Sequence, residues 1–166
     1  MISEAYLEQQ KKLHATGNYG VSGHKYAGIV SDIADQLQTT DVLDYGCGQR
    51  RLESAMGFLI RNYDPAIPEF AEIPQYGADV VACTDCLEHI EPAHLDAVLN
   101  DLKRLTKQAG VFVIATGPAK KFLDDGRNAH LIQEGAAWWL PKIMERFDLL
   151  KFQKLSHEIL VIVRPL

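Results

Sequence analysis

The sequence has few cysteines and no long apolar run. Its three cysteines are an odd number, which suits a reducing compartment better than a disulfide framework. No run approaches the ~18 apolar residues of a membrane span. The N-terminus also lacks the basic start and apolar centre of a signal peptide. We therefore expect a cytoplasmic protein without a membrane segment.

Positive charge is also scarce. A formal net charge of −5 argues against a surface that coats nucleic acid. The chain has no Gly-x-x-x-x-Gly-Lys-Ser/Thr motif, so phosphate binding of the P-loop type has no support. Cys83-Thr-Asp-Cys86 has a C-x-x-C spacing, but no second pair completes a zinc site. We expect no metal, no redox centre and no nucleic-acid partner.

Strand-like and helical patterns alternate along the chain. The 166 residues, 47% of them hydrophobic, suit one domain spanning residues 1–166. Alternation of this kind predicts an α/β fold with a mostly parallel, Rossmann-like sheet covered by helices on both faces. The predicted helices are 3–14, 22–37 (with Ser22 as a capping candidate), 50–59 and 92–107, and the predicted strands are 41–45, 60–64, 79–84 and 111–116, with Gly110 ending the link before the last of these.

The C-terminal part predicts an antiparallel ending. After a helix that carries Trp138 and Trp139, one of which we expect in the core, the strand-like runs 147–155 and 158–164 are joined by a short link. Such a link permits a hairpin and leaves no room for a crossover helix. Only 14 residues, three of them proline, separate Asp64 from Asp79. We therefore expect the usual third strand to be missing and a sheet of about six strands.

A short apolar run that ends in Asp44 and continues as Gly46-Cys47-Gly48 indicates a nucleoside-cofactor loop. Glycine allows positive φ angles and a close approach of the backbone to a ligand, and the following helix offers free N–H groups. Asp64 lies 20 residues beyond Asp44, the distance at which an acid binds ribose hydroxyls in dinucleotide folds. Arg51 occupies the position of the third glycine in the dinucleotide-binding fingerprint, so the loop does not match that fingerprint.

Two motifs resemble those of the class I S-adenosylmethionine (SAM) methyltransferases. Asp44, Gly46 and Gly48 match the acid-x-Gly-x-Gly-x-Gly of motif I, while Arg50 departs from it. The segment 77–90 resembles motif IV, in which a strand runs into D-x-L-E-H before a helix. The matching residues there are Asp79, Val80, Val81, Asp85, Leu87, Glu88 and His89. The chain is thus similar to a small, type 11-like member truncated between strands 2 and 4.

This resemblance implies SAM as the cofactor and S-adenosylhomocysteine (SAH) as the product. It places N-terminal helices, residues 1–40, over the cofactor site, and a reversed strand at the end of the sheet. Asp64 takes the role of ribose ligand by resemblance, and the residue that contacts adenine stays open. The residues expected around the cofactor are Asp44, Tyr45, Gly46, Cys47, Gly48, Asp64, Pro65, Thr84, Asp85 and Cys86.

The substrate loop, residues 117–135, is the expected acceptor side. It follows the strand 111–116 and is long enough to indicate function. Lys120, Lys121 and Arg127 suit an anionic substrate; alternatively they form a solvated charge run balanced by the neighbouring aspartates. His130 is our first candidate for a catalytic base and His89 the second. The competing interpretation is that His130 orders the loop and that His89 caps the next helix.

The glycine-rich segment 17–26 resembles the family's N-terminal segment that folds over SAM. Tyr19 and His24 are therefore candidates for lining the pocket, and a glycine-rich helix entry would explain the same pattern. The chain carries no Asp/Asn-Pro-Pro-Tyr/Phe or Pro-Cys motif, which are the marks of DNA methyltransferases by resemblance. We therefore expect a small-molecule acceptor, and a homodimer is compatible with the sequence.

Three functions remain open. The first is SAM-dependent methyl transfer to a small, anionic acceptor. The second is a SAM-binding protein of the same fold that does not catalyse and serves as a regulatory or partner subunit, which Arg50 and the missing strand would explain. A nicotinamide oxidoreductase comes third, because Arg51 and the C-terminal hairpin disfavour it.

Overall fold

A six-stranded sheet forms the centre of the computed structural model, which describes residues 2–166. The strands lie in the order β2-β1-β3-β4-β6-β5. The first four are parallel, and β6 runs antiparallel to both β4 and β5, so the predicted fold class and C-terminal hairpin are confirmed. The strands are β1 Val42–Tyr45, β2 Arg61–Tyr63, β3 Ala78–Thr84, β4 Thr106–Ala115, β5 Phe147–Lys154 and β6 Glu158–Pro165.

Within residues 2–166, five α-helices cover this sheet. They are α1 Glu4–Ala15, α2 Ala27–Gln36, α3 Arg51–Met56, α4 Leu95–Leu105 and α5 Ala136–Met144. Helix α4 carries apolar residues at three- and four-residue steps, and this face is buried in one hydrophobic cluster together with α5 and its Trp139. Helices α2 and α3 pack in a second cluster with Val42, Val80 and Val111. None of the described helices is long and apolar enough to cross a membrane.

The structure corrects two predicted boundaries. Ser22 does not cap a helix: residues Gly23–Tyr26 form a 3₁₀ turn before α2, and the Ser22 hydroxyl donates to Asp85 instead. Helix α4 ends at Leu105, and β4 begins at once at Thr106, whose hydroxyl donates to the Leu102 carbonyl over 2.7 Å. Gly110 therefore lies inside β4. A Cβ there would come within 2.8 Å of Phe112 and Val163.

The missing strand leaves a short connection in its place. Residues 64–77 contain a 3₁₀ turn, Pro68–Phe70, and no strand. Strand β2 consequently forms one edge of the sheet, with β1 as its neighbour. The carboxyl ends of β1 to β4 lie at one edge of the sheet, where open α/β sheets bind ligands. The N-terminal cover, residues 3–22, folds across this edge.

Candidate functional site

A cavity of 420 Å³ lies at the carboxyl edge of the parallel strands, within the size range of small-molecule sites. Its walls come from the strand ends, the N-terminal cover and the substrate loop. The strand-end side includes Tyr45, Gly46, Gly48, Asp64, Pro65, Asp85, Cys86, Glu88 and His89. The cover contributes Tyr6, Gln10, His14, Asn18, Tyr19, Gly20 and Ser22, and the loop contributes Pro118, Ala119, Lys120, Lys121 and His130.

The glycine loop after β1 packs backbone against backbone. Gly46 and Gly48 have φ angles of +82° and +49°. A Cβ on Gly46 would lie 2.5 Å from the Cys86 sulfur, and one on Gly48 would lie 2.6 Å from the Gly20 carbonyl oxygen. The two glycines are therefore needed both for the turn and for the close approach of the neighbouring segments.

Arg50 occupies the position of the third motif glycine and adopts the left-handed conformation itself, with φ +54°. Its side chain is half exposed, lies 3.4 Å from the Glu53 carboxylate, and stacks over the Phe70 ring. Because it does not line the cavity, its departure from the motif leaves the site open.

Asp64 follows β2 and is buried beside the glycine loop. Its carboxylate accepts hydrogen bonds from the backbone N–H groups of Gly48 (3.1 Å) and Ala66 (2.9 Å). The Nε2 atom of His14 lies 3.9 Å from the same carboxylate. These contacts fix the orientation of Asp64 at the cavity wall, since hydrogen bonds to an ionised acceptor are strong.

Asp44 lies behind the loop rather than in the cavity wall. It is 2% exposed, and its Oδ1 atom has no hydrogen-bond partner. Burial, together with the nearby charges of Asp64 and Glu53, raises the pKa of Asp44 to about 7. The charged form of Asp44 is thus disfavoured at this position next to the glycine loop.

Two histidines face each other in the wall of the cavity. The rings of His89 and His130 meet edge to face, with centroids 4.7 Å apart. His89 Nδ1 donates to the Ala129 carbonyl over 2.7 Å, and His130 Nδ1 donates to the Gly117 carbonyl over 2.6 Å. In the neutral form of either ring, the proton on Nδ1 leaves Nε2 with a free lone pair. Burial and the neighbouring His130 lower the pKa of His89 to about 3, so its ring is neutral at pH 7.

Acidic groups lie beside these histidines. Glu88 is completely buried; its Oε1 atom accepts from the Ala115 N–H at 3.2 Å, and its Oε2 atom has no partner. Asp85 accepts from the Ser22 hydroxyl, while its Oδ1 atom is also without a partner. Burial raises the pKa of Glu88, and the charge of Asp85 adds to this shift. The site therefore holds two acids whose charged forms are disfavoured by burial.

The N-terminal cover is tied to both sides of the cavity. The Tyr6 hydroxyl donates to the His89 carbonyl at 2.5 Å, and the Tyr19 hydroxyl lies 2.9 Å from His89 Nδ1. On the surface, Lys12 pairs with Asp124 at 2.7 Å. The Gln49 N–H donates to the Gly20 carbonyl at 2.8 Å, which joins the cover to the glycine loop.

The basic residues of the substrate loop separate into two groups. Lys120 and Lys121 line the cavity, and Lys121 also donates to the Asn18 carbonyl at 2.7 Å. Arg127 lies outside it, pairs with Asp125 at 2.7 Å and stacks over the Tyr6 ring. Arg127 is therefore a surface charge balanced by a neighbouring aspartate, whereas Lys120 and Lys121 lie at the cavity.

The structure brings most of the predicted site residues together around one cavity. Five lie outside its lining: Asp44, Cys47 and Thr84 are buried behind it, and His24 and Arg127 are exposed. Tyr6, Gln10 and His14 also line the cavity and were not predicted from the sequence. Their four-residue spacing on a predicted helix was the available signal, because such residues share one helix face.

Comparisons with known proteins agree with this geometry. A family model described as a methyltransferase domain matches residues 19–157. A search of curated proteins finds no significant match. Among solved structures, DhpI in complex with SAH superposes with a TM-score of 0.64 and 15% identity over 98% of both chains. A second match is the 1,6-didemethyltoxoflavin-N1-methyltransferase of Burkholderia thailandensis, with bound 1,6-didemethyltoxoflavin and SAH. It superposes with a TM-score of 0.62 and 17% identity over 87% of this chain and 79% of that one. A third match is magnesium protoporphyrin IX methyltransferase (ChlM) from Synechocystis PCC 6803, also with bound SAH. It superposes with a TM-score of 0.61 and 16% identity over 85% of this chain and 83% of that one.

Proposed function

This chain belongs to the methyltransferase-domain family and has the fold of the class I SAM-dependent methyltransferases, and from that premise we propose that it methylates a small, anionic acceptor. The observation that carries the proposal is the shared cavity. The glycine loop and Asp64 line it together with two histidines and two lysines. A cofactor site and an acceptor site can therefore adjoin without a large movement of the chain.

The residues present fit SAM. Gly46 and Gly48 keep the loop free of side chains, and Asp64 is held at the wall by main-chain N–H groups. We assign Asp64 to the ribose hydroxyls, with Tyr45, Pro65, Asp85 and Cys86 around the rest of the cofactor. Cys47, Thr84 and Asp44 support the loop from behind. When bound, SAM supplies a methyl group already activated on a sulfonium sulfur.

The protein's own part is to hold the acceptor and exclude water. Transfer from an activated donor mainly requires the nucleophile to be close, aligned and desolvated. The N-terminal cover closes the cavity from one side and the substrate loop from another. We propose His130 and His89 as the residues that act on the acceptor, because each offers an unprotonated Nε2 atom that can accept a proton or bind a cation.

An anionic acceptor follows from the lysines. Lys120 is exposed at the mouth of the cavity, and Lys121 lies beside it with its ammonium group over the Tyr19 ring. Two ammonium groups attract a phosphate or carboxylate and offset the negative charge of Asp85 and Glu88. Both lysines belong to the loop, so they are placed to bind an acceptor that enters between loop and cover.

Calorimetric titration with SAH, with NAD as the control ligand, tests the cofactor assignment. We expect saturable binding of SAH and none of NAD. Asp64→Ala removes the ribose acceptor, and the loss of hydrogen bonds to a charged group, about 1.5–3 kcal/mol, weakens SAH binding by roughly 10- to 100-fold. Unchanged SAH affinity in Asp64→Ala would contradict the assignment of that residue.

Methyl transfer to matched acceptors tests the acceptor class. Candidate acceptors are supplied in pairs that differ only by a phosphate or carboxylate, and SAH release is measured. We expect turnover with the anionic member and a raised KM in the Lys120→Gln, Lys121→Gln double variant. Lys151→Gln, on the edge strand β5, is the matched control. Preference for neutral acceptors in the wild type would refute the anionic class and leave the cofactor assignment intact.

A further inference from the structure

We propose that Glu88, His89 and His130 bind one divalent transition-metal ion, which holds an oxygen atom of the acceptor. The inference rests on the proposed function, because it says how the acceptor side of that same cavity works. It also departs from the sequence-based expectation of no metal. That expectation was based on the cysteines alone, whereas these ligands are the adjacent Glu88 and His89 together with His130, which lies 41 residues beyond His89.

The three side chains already converge. One ligand atom from each residue can be chosen so that all three lie within 4.8 Å of one another. Glu88 and His89 lie on the 3₁₀ turn Leu87–His89 after β3, and His130 comes from the substrate loop. A small inward movement of the loop brings such a set to coordination distance, about 2.0–2.2 Å from one ion.

Glu88 supplies an independent observation that points to a ligand. It is 0% exposed, and its Oε2 atom has no hydrogen-bond partner among the described residues. Buried polar atoms are usually hydrogen-bonded, because leaving them unpaired costs free energy. Asp85, in the same cavity, has a second unpaired oxygen. A cation at the Glu88 oxygen would satisfy it and offset the charge of both acids.

The two imidazoles have the arrangement typical of metal ligands. Histidines that bind metals almost always donate their other ring N–H to a carbonyl or carboxylate, which fixes the tautomer and the ring orientation. His89 and His130 both do so, to the carbonyls of Ala129 and Gly117. The Tyr19 hydroxyl, 2.9 Å from His89 Nδ1, adds a further contact. These contacts orient each neutral ring with Nε2, and not Nδ1, free to bind a metal ion.

The donor set indicates which ion fits. Two imidazoles and one carboxylate suit Zn²⁺, Fe²⁺ or Co²⁺, whereas Mg²⁺ prefers oxygen ligands and retained water. Three protein ligands leave at least one open coordination position, as in catalytic rather than structural sites. That position would hold a hydroxyl or carboxylate oxygen of the acceptor. A hydroxyl bound there would release its proton to solvent more readily, and His130 would then serve as a ligand and not as the base.

Metal titration of the full chain tests this site without any activity assay. The protein is stripped with a chelator and titrated at pH 7.5 with Co²⁺, followed by ligand-field absorption, and then with Zn²⁺ in competition. We expect one equivalent of each ion, with Mg²⁺ unable to displace Co²⁺. His130→Ala and Glu88→Gln should each weaken Co²⁺ binding by about 100-fold or more, since even outer-shell changes cost 10- to 100-fold. His157→Ala, which changes an exposed histidine outside the cavity lining, should bind as the wild type does.

The outcomes separate this inference from the function on which it rests. SAH binding is measured by calorimetry on the stripped protein. Normal SAH binding without stoichiometric Co²⁺ binding would overturn the metal site and leave the methyltransferase assignment in place. Co²⁺ binding that survives in His130→Ala would overturn it as well. Thermal unfolding shows whether Glu88→Gln folds. If it does not, Co²⁺ binding by the wild type and by His130→Ala still decides whether the metal site exists.

Discussion

At the residue scale, Asp44 shows how the site affects stability. Its carboxyl group is buried without a partner for Oδ1, and its pKa is raised from 3.8 to about 7 by burial and by the charges of Asp64 and Glu53. The folded protein therefore binds this proton more tightly than the unfolded chain. The stabilisation is complete below pH 3.8 and is lost as the pH rises through 7.

Asp44→Asn should therefore become more favourable relative to the wild type as the pH rises. Asparagine keeps the shape and cannot ionise. With a folded-state pKa of about 7 for Asp44, the wild type should lose about 2 kcal/mol of unfolding free energy between pH 5.5 and pH 8 relative to Asp44→Asn. Each pH unit below the folded-state pKa corresponds to about 1.4 kcal/mol. Thermal unfolding at pH 5.5 and pH 8 measures the change. Asp32→Asn, an exposed acid on α2, should show no such gain; an equal gain in both variants would contradict the burial argument.

Individual residues also show how far the site could be predicted from sequence. The glycine loop, Asp64, His89 and His130 carried recognisable motifs or stood in a long loop, and the structure places them around one cavity. Glu88 was matched as part of a motif, yet no pattern in the sequence gave it a chemical role. Its burial, and its juxtaposition with His130 from a distant loop, arise only from the tertiary fold.

At the scale of elements, the glycine loop depends on the N-terminal cover. The Gly48 and Gly20 backbones approach so closely that a Cβ on Gly48 would lie 2.6 Å from the Gly20 oxygen. The Gln49 N–H donates to that same oxygen at 2.8 Å. The shape of the cofactor loop and the closure of the cover are thus one structural feature.

Gly48→Ala should consequently weaken SAH binding and stability together. The methyl group must push the cover away, and overpacking of this kind costs about 1–3 kcal/mol beyond the strain of the left-handed conformation. Gly57→Ala is the matched control, because Gly57 also has a positive φ, +77°, but nothing within 4 Å of its Cβ position. Denaturant unfolding and SAH calorimetry measure both effects. Equal losses in the two variants would mean that only backbone strain matters.

The elements themselves could largely be read from the sequence. Helix α4 and the hairpin β5–β6 were predicted because their apolar spacing and short link leave few alternatives. The boundary between α4 and β4 was wrong, since Thr106 passes directly from helix to strand through its own hydroxyl contact. Such a junction depends on the pairing of β4 with β3, and local residue propensities cannot predict a pairing between distant segments.

At the scale of the whole molecule, two kinds of structure meet at the cavity. The sheet and helices α4 and α5 form a closely buried cluster. The N-terminal cover and substrate loop are joined to each other by exposed polar contacts, such as Lys12–Asp124 and Lys121 with the Asn18 carbonyl. Exposed ion pairs contribute little stability and weaken in salt, so these two segments are the part of the protein that can open to admit ligands.

Hydrogen exchange measured by mass spectrometry should reveal this division. Without ligand, we expect amides in residues 3–22 and 117–130 to exchange faster than those in β3 and β4, and faster still in 0.5 M NaCl, because salt screens the exposed pairs. SAH at about 100 times its Kd should slow exchange in the cover by up to about 100-fold, the limit set by the binding free energy. Strand β5 lies at the far edge of the sheet, contributes no residue to the cavity lining and serves as the internal control. Protection that rose equally in β5 and the cover would show that SAH stabilises the molecule as a unit and that the cover does not open separately.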